Sequence, residues 1–145
     1  MRTCLSLSIA AIMLFGLFAI DVQPASAFSE RQFKQVIAKN DRFMMRALAR
    51  WTADPNNKWR VKREISEIGR AARRDVLWLD AHRATSCQKR PANRLRQHLY
   101  QVTLWTETAA RAVINGNWDK ANKAARQIGL WLRSSRRWYK VVLRC

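Results

Sequence analysis

The chain has 145 residues and a formal net charge of +18 at pH 7, from 28 Lys and Arg against 10 Asp and Glu. So large a charge on one short chain exceeds what solubility requires and destabilises a compact fold by self-repulsion, so it indicates an anionic partner. Arginine predominates among the cations, and its planar guanidinium suits phosphate and carboxylate groups. No G-x-S-x-G, P-loop or dinucleotide fingerprint occurs, so the sequence gives no motif for a cofactor, and none is expected.

The first 27 residues have the order of a cleavable secretory signal. Arg2 provides a positive start, residues 5–20 form a continuous apolar run, and Ala25–Ala27 is a small-residue exit. An uncleaved anchor is the alternative, but the run is short for a bilayer span of about 20 apolar residues. We therefore predict cleavage after Ala27, a periplasmic or secreted location and a single helical domain over residues 28–145 without a transmembrane span. Cleavage removes one basic and one acidic side chain, so the mature charge stays +18.

Two cysteines remain after cleavage, Cys87 and Cys145. An exported protein matures where thiols oxidise, so an even pair predicts one disulfide. Two free thiols or an intermolecular bridge are the alternatives.

Proline and glycine divide the mature chain into four segments with helical periodicity. The first spans residues 29–52, where Ser29 and Gln32 are spaced for a capping box. The second begins at Asp54-Pro55, and Gly69 in its middle is either a weak point or a place where another helix approaches. Apolar stripes run along these two segments at Phe33, Ile37, Met44, Leu48 and Trp51, and at Val61, Ile65, Ile68, Ala72, Val76 and Leu79.

The third segment begins near Pro91, and Asn117 is placed to cap the fourth. Their stripes are Leu95, Leu99, Val102, Trp105, Ala109 and Ala112, and Ala121, Ala124, Ile128, Trp131, Ser135, Trp138 and Val142. Four matched stripes with short connections predict an all-α, antiparallel up-and-down four-helix bundle. That topology brings the connection holding Cys87 and the terminal Cys145 to the same end, so we expect one disulfide to join them.

Catalytic and metal-binding constellations are sparse. His82, His98 and Asp80 fall near one bundle end and together resemble a metal site, but the close ligand spacing typical of one is missing. We therefore interpret both histidines as surface or half-buried residues and expect no metal. The acidic pairs Glu64–Glu67 and Asp75–Asp80 are interpreted as ion-paired surface groups.

Rows of cations lie opposite two of the apolar stripes. On the second segment they are Arg60, Arg63, Arg70 and Arg74; on the fourth they are Arg126, Arg133, Arg137, Lys140 and Arg144. A solvated face is the plain interpretation of such rows. Because the net charge is so large, we instead predict binding through Arg60, Arg63, Arg70, Arg74, Arg133, Arg137 and Lys140.

The partner class follows from charge and compartment. We expect an anionic envelope or extracellular partner, namely an acidic polysaccharide, a lipid head group or an acidic protein. Nucleic acid is chemically suitable, but an exported protein rarely meets it. A small secreted enzyme acting on an anionic polymer and a membrane-active, toxin-like protein are the alternatives. The seven tryptophans are read as core residues, with an exposed stacking platform as the other possibility.

Overall fold

The computed structural model describes residues 29–51 and 53–145, and helices dominate both stretches. The predicted signal, residues 1–27, and the predicted end of the first helix at Thr52 lie outside them. The helices are α1, in which Glu30–Phe33, a π-helical Lys34–Ala38 and Lys39–Ala49 follow one another, then α2 (Lys58–Ala81), α3 (Ser86–Ile114) and α4 (Trp118–Leu143). Helix α3 packs on α2 and α4, and α1 packs against α2 and α4. This arrangement confirms the predicted four-helix bundle.

Side-chain caps explain where the helices begin. The Ser29 side chain accepts a hydrogen bond from the Gln32 amide and Gln32 reaches back, so the predicted capping box is confirmed. Asn117 caps α4 as predicted, by accepting from the Lys120 amide. Helix α2 begins later than expected, because Asp54 caps a short 3₁₀ turn, Pro55–Asn57, and Asn57 then caps the helix itself.

The predicted start of α3 near Pro91 is wrong. Thr85 and Gln88 form a second capping box, and the helix begins at Ser86. Pro91 is therefore inside the helix, where its missing N–H removes one backbone hydrogen bond in an early turn. Cys87 consequently lies in the first turn of α3 rather than in the connection before it.

The predicted stripes supply most of the core, to which Val113 and Leu132 add; the half-buried members of the stripes are Leu48, Trp51, Val76, Trp105, Trp131 and Trp138. The largest fully buried side chains come from all four helices, and they are Phe33, Ile37, Met44, Val61, Ile65, Ile68, Leu95, Leu99, Val102, Val113, Ile128 and Leu132. Gly69 marks a close approach, since a Cβ there would lie 2.3 Å from Thr106 Oγ1 on α3. A larger residue at position 69 would push α2 and α3 apart, whereas glycine lets the two backbones approach each other.

The predicted disulfide is confirmed. Cys87 and Cys145 are bonded, with their Cα atoms 5.7 Å apart. The bond joins the first turn of α3 to the residue that follows the last turn of α4. It therefore holds the end of α4 against the bundle, where a terminal turn would otherwise fray.

Candidate functional site

Helix α4 presents its cations to a groove beside α1. The groove has a volume of ≈ 700 Å³ and is open to solvent. We call it the basic groove, and its lining residues are Asp41, Arg133, Arg136, Arg137, Tyr139, Lys140, Val141 and Arg144. Three of the predicted binding residues, Arg133, Arg137 and Lys140, therefore meet at one site. The spacing of four, three and four residues from Arg133 to Arg144 places this row along one flank of the helix.

The basic groove is poorly neutralised. Helix α4 has no acidic residue after Asp119. The groove's one carboxylate, Asp41, comes from α1 and accepts a hydrogen bond from Arg136 Nε at 2.8 Å. Among the described residues, Arg133, Arg137, Lys140 and Arg144 form no ion pair. Several exposed guanidinium and ammonium groups at this groove are thus available to an anion.

The wall of the groove nearest the core is held by aromatic packing. Tyr139 stacks on the buried Phe33 of α1, with ring centroids 5.1 Å apart and planes 14° from parallel. Burial raises the pKa of the Tyr139 hydroxyl, an effect that Lys34 and Arg42 oppose. Tyr139 is therefore a neutral hydrogen-bonding group fixed between the cations of two helices.

A buried carboxyl group lies behind the groove. Asp75 of α2 is 0% exposed, and Asn40 Nδ2 donates to its Oδ1 at 2.5 Å. Burial raises the pKa of Asp75 to about 8, and the charge of Asp41 adds to that shift, while Asn40 and Arg74 oppose it. The interpretation of Asp75 as an ion-paired surface group is wrong. It follows Ile68 and Ala72 at helical spacing, which places it on the inner face.

The predicted row on α2 has different surroundings. Arg60 pairs with Asp54 at 2.6 Å and with Glu64 at 3.8 Å, and Arg70 lies 3.9 Å from Glu67. Arg63 and Arg74 are exposed and form no ion pair among the described residues. Arg70 lines a smaller groove of ≈ 180 Å³ between α2 and α3, with Arg73 and Glu107. The structure thus brings three of the seven predicted binding residues together in the basic groove and leaves the four residues of α2 outside it.

A second depression continues along α4 towards the other end of the bundle. We call it the tryptophan depression; its volume is ≈ 430 Å³, and it is lined by Leu48, Trp51, Asn122, Ala125, Arg126, Gly129, Leu130 and Arg133. Arg133 belongs to both concavities. Leu130 is 51% exposed, whereas Trp51 packs against the core. The indole N–H of Trp51 is enclosed and has no hydrogen-bond acceptor among the described residues.

The remaining tryptophans mostly support the core interpretation. Six of the seven pack against the core cluster as half-buried side chains, and these are Trp51, Trp78, Trp105, Trp118, Trp131 and Trp138. Trp59 is the exception, at 67% exposed. Lys62 Nζ lies 4.9 Å from the centre of its ring, so a cation already occupies one face.

The two histidines lie against different tryptophans. His82 stacks on Trp78 with ring centroids 4.1 Å apart, and its Nδ1 lies 2.7 Å from the Trp78 carbonyl oxygen. His98 packs edge-on against Trp131 of α4, and burial lowers its pKa. Asp80 forms an ion pair with Arg96 at 3.2 Å. Within residues 29–51 and 53–145, no three His, Cys, Asp or Glu side chains are grouped to hold a metal ion.

Sequence reasoning missed Arg136, Asp41 and Tyr139. Arg136 lies outside the row on α4, and its partner is 95 residues away in the chain. The absence of acids after Asp119 was the available signal, because it distinguishes α4 from α2 before any packing is known.

Searches against protein-family models, curated proteins and solved structures found no match. None of the described helices is long and apolar enough to cross a membrane.

Proposed function

We propose that this protein is an exported, non-enzymatic binding module that holds an anionic partner in the basic groove of α4. The observation that carries the proposal is the convergence of Arg133, Arg137, Lys140 and Arg144 on one groove without carboxylate partners among the described residues. Unpaired cations on one face repel one another and cost stability in the free protein. An anion in the groove removes that cost, and arginine forks add bidentate hydrogen bonds.

Export is part of the proposal and rests on two features. The order of residues 1–27 is that of a secretory signal. The disulfide between Cys87 and Cys145 forms and persists in an oxidising compartment. Acidic polysaccharides, lipid head groups and acidic proteins are the anions available there.

The test compares retention on an immobilised acidic polysaccharide as salt is raised. The variant removes three charges from the groove, through Arg133→Gln, Arg137→Gln and Lys140→Gln. Its matched control removes three from α2, through Arg60→Gln, Arg63→Gln and Arg70→Gln. We expect the groove variant to elute at clearly lower salt than the wild type and the control to elute close to the wild type, because exposed charges act within about 10 Å at 0.1 M salt.

Thermal melts of all three proteins serve as the control that each is folded. Equal loss of retention in both variants would contradict a localised site and leave only diffuse attraction to a basic surface. Salt-independent retention of the wild type would contradict an electrostatic site altogether.

A second candidate is an enzyme acting on an anionic polymer, and it is favoured by one observation. Asp41 lines the groove and interacts electrostatically with Asp75, whose pKa is about 8. A carboxylate beside a protonated carboxyl is the pairing used in glycoside hydrolysis. Against it, Asp75 is 0% exposed and does not line the groove. New reducing ends released from a polyuronate by the wild type, and not by Asp41→Asn, would support the enzyme.

A further inference from the structure

The basic groove and the tryptophan depression form one track along α4. Arg133 lines both, and both are completed by residues of α1. The cations on this flank extend from Arg126 to Arg144, an axial distance of about 27 Å at 1.5 Å per residue. Successive charges of the row Arg133, Arg137, Lys140 and Arg144 are separated by about 4.5–6 Å along the helix axis. A small anion therefore contacts a fraction of the track, whereas an extended chain with regularly spaced charges contacts all of it.

Two enclosed polar atoms along the track lack partners among the described residues. Asp41 Oδ1 accepts no hydrogen bond, although Oδ2 accepts one from Arg136. Trp51 Nε1 donates none. Asp41 lines the groove and is the one acidic side chain among its lining residues. A ligand that satisfies this carboxylate must carry hydrogen-bond donors as well as negative charge, which describes the hydroxyl groups of an acidic sugar.

The aromatic groups of the track favour sugars over nucleic acid. Single-stranded nucleic acid binds by stacking bases on exposed aromatic faces. Within the track, Phe33 covers one face of the half-buried Tyr139 ring, and Trp51 packs against the core. Trp59, which is exposed, belongs to α2 and not to this groove. The track therefore offers charge and hydrogen bonds along its length, with little stacking surface.

A lipid is also a poor fit. An acyl chain requires an enclosed apolar cavity, but the tryptophan depression is open and bounded by Arg126, Arg133 and Asn122. Its large apolar side chains are Leu48 and Trp51, which are half-buried, and Leu130, which is 51% exposed and lies between two arginines in the sequence of the helix. An edge of a sugar ring contacts such a surface while its polar groups reach the arginines and the Asn122 amide.

We propose that the basic groove and the tryptophan depression together bind one extended strand of an acidic polysaccharide. Carboxylates or sulfates of successive sugars pair with the cations from Arg126 to Arg144, and sugar hydroxyls donate to Asp41. This inference rests on the proposed function, because it specifies the partner of the same groove. It adds the depression as a second contact region and makes chain length the determinant of affinity.

The experiment is calorimetric titration of the disulfide-bonded protein with galacturonate oligomers of defined length. We expect the octasaccharide to bind at least about tenfold more tightly than the disaccharide, because linked contacts act at high effective concentration. Arg126→Gln should weaken octasaccharide binding by about threefold, the loss of one exposed charge contact. The same variant should leave disaccharide binding unchanged, since a short ligand occupies the more basic half of the track.

Lys123→Gln is the matched control. Lys123 is exposed on α4 and lines neither concavity, so removing its charge should leave the affinity for every length unchanged. An equal effect of Lys123→Gln and Arg126→Gln would overturn the track, because net charge alone would explain both.

The remaining outcomes separate failure of this inference from failure of the proposed function. Equal affinity for the disaccharide and the octasaccharide overturns the extended track but leaves an anion site in the groove. Absence of binding to the galacturonates alone overturns this inference, whereas absence of binding to the galacturonates, a polyphosphate, a DNA strand and anionic vesicles overturns the proposed function itself. At high salt we expect the octasaccharide to outlast a polyphosphate or a DNA strand of similar length, because its hydroxyl bonds persist when charges are screened. The reverse order, or tighter binding to anionic vesicles that the octasaccharide does not displace, overturns the sugar assignment.

Discussion

Helices α2 and α4 both carry arginine rows opposite the core, but their acidic neighbours differ. On α2, Arg60 and Arg70 pair with Asp54, Glu64 and Glu67. On α4, Arg136 takes the one groove carboxylate, and the cations around it have no such partner among the described residues. Among the described residues, carboxylates therefore pair with half of the α2 row, leaving Arg63 and Arg74 unpaired, and with none of the α4 cations Arg133, Arg137, Lys140 and Arg144.

The backbone surroundings of the two rows differ as well. Helix α2 is fixed along its length by a close approach to α3 at Gly69. The row on α4 continues to Arg144, next to the cysteine that ties the end of the helix to α3. The α4 row is therefore held by interhelical packing and, at its end, by a covalent tether, whereas the α2 row is held by packing without a disulfide on its own helix. Each dependence is open to a separate test.

Removing the tether should produce the largest effect. Cys145→Ser opens a bond that spans 58 residues of chain, and the chain-entropy relation gives a loss of about 4 kcal/mol in the free energy of unfolding. Frayed residues near Arg144 should also weaken retention on an acidic polysaccharide. Urea unfolding of Cys145→Ser and Cys87→Ser measures the loss, which should be equal in the two variants. A loss below about 1 kcal/mol would mean that packing alone holds the end of α4.

The next largest change in stability is expected from replacing one glycine on each of the two helices by alanine. In Gly69→Ala, the new methyl group meets Thr106 Oγ1 at 2.3 Å and Cβ at 3.1 Å, so the crossing of α2 and α3 must shift. We expect a loss of about 1–3 kcal/mol. In Gly129→Ala on α4, the nearest atom is Leu48 Cδ2 at 3.3 Å, the end of a side chain that can move.

Gly129→Ala is therefore the matched control. Its helix propensity improves by up to about 1 kcal/mol, so we expect unchanged or slightly raised stability. Thermal melts of both variants measure the difference. If Gly69→Ala were as stable as Gly129→Ala, the packing contrast between α2 and α4 would be wrong.

The buried Asp75 on the inner face of α2 should make the stability of the fold depend on pH, which the arginine rows on the outer faces should not. The pKa of Asp75 is 3.8 in its ordinary state and about 8 in the fold. The folded state therefore holds a proton that the unfolded state releases, and stability falls as pH rises from about 4 to 8. Asp75→Asn keeps the acceptor for Asn40 and does not titrate. We expect it to be at least about 1 kcal/mol more stable than the wild type at pH 8, with the difference shrinking towards pH 4.

Asp80→Asn is the control for this prediction, since its carboxylate is exposed and paired with Arg96. Urea unfolding across the pH range measures all three proteins. A variant Asp75→Asn that is less stable than the wild type at pH 8 would contradict a protonated, buried Asp75.

The four-helix bundle could be predicted from the sequence because the core positions follow a spacing that is visible within each helix. Stripes at every third or fourth residue, together with the caps at Ser29 and Asn117, are visible in one segment at a time. The predicted start of α3 near Pro91 is wrong because Thr85 and Gln88 form a capping box before it. That signal was also local and was available.

The candidate site was predictable only in part. The row on α4 follows from spacing, and so does the buried register of Asp75. The groove itself depends on which helix lies beside α4, and the pair of Arg136 with Asp41 joins residues 95 positions apart. No periodicity within one helix encodes that contact. By contrast, the pairing of Arg60 with Glu64 and of Arg70 with Glu67 is local, and the lack of acids on α4 after Asp119 is visible in the sequence.

The smallest expected effect concerns the α2 row itself. Arg60→Gln, Arg63→Gln, Arg70→Gln and Arg74→Gln together should change stability little, because each side chain is exposed and each substitution is expected to act within about 0.5 kcal/mol. Loss of the Arg60 pairs costs a little, since surface ion pairs contribute about 0–1 kcal/mol. Removing four charges from a protein of +18 relieves repulsion and offsets that cost.

Urea unfolding at low and high salt separates the two contributions. The stability of the wild type should gain more from added salt than that of the variant, because the repulsion in the wild type is larger. Retention on an acidic polysaccharide should stay close to that of the wild type. A loss above about 2 kcal/mol would give the α2 row a structural role, and retention that falls as far as in the α4 variant would remove the distinction between the two rows.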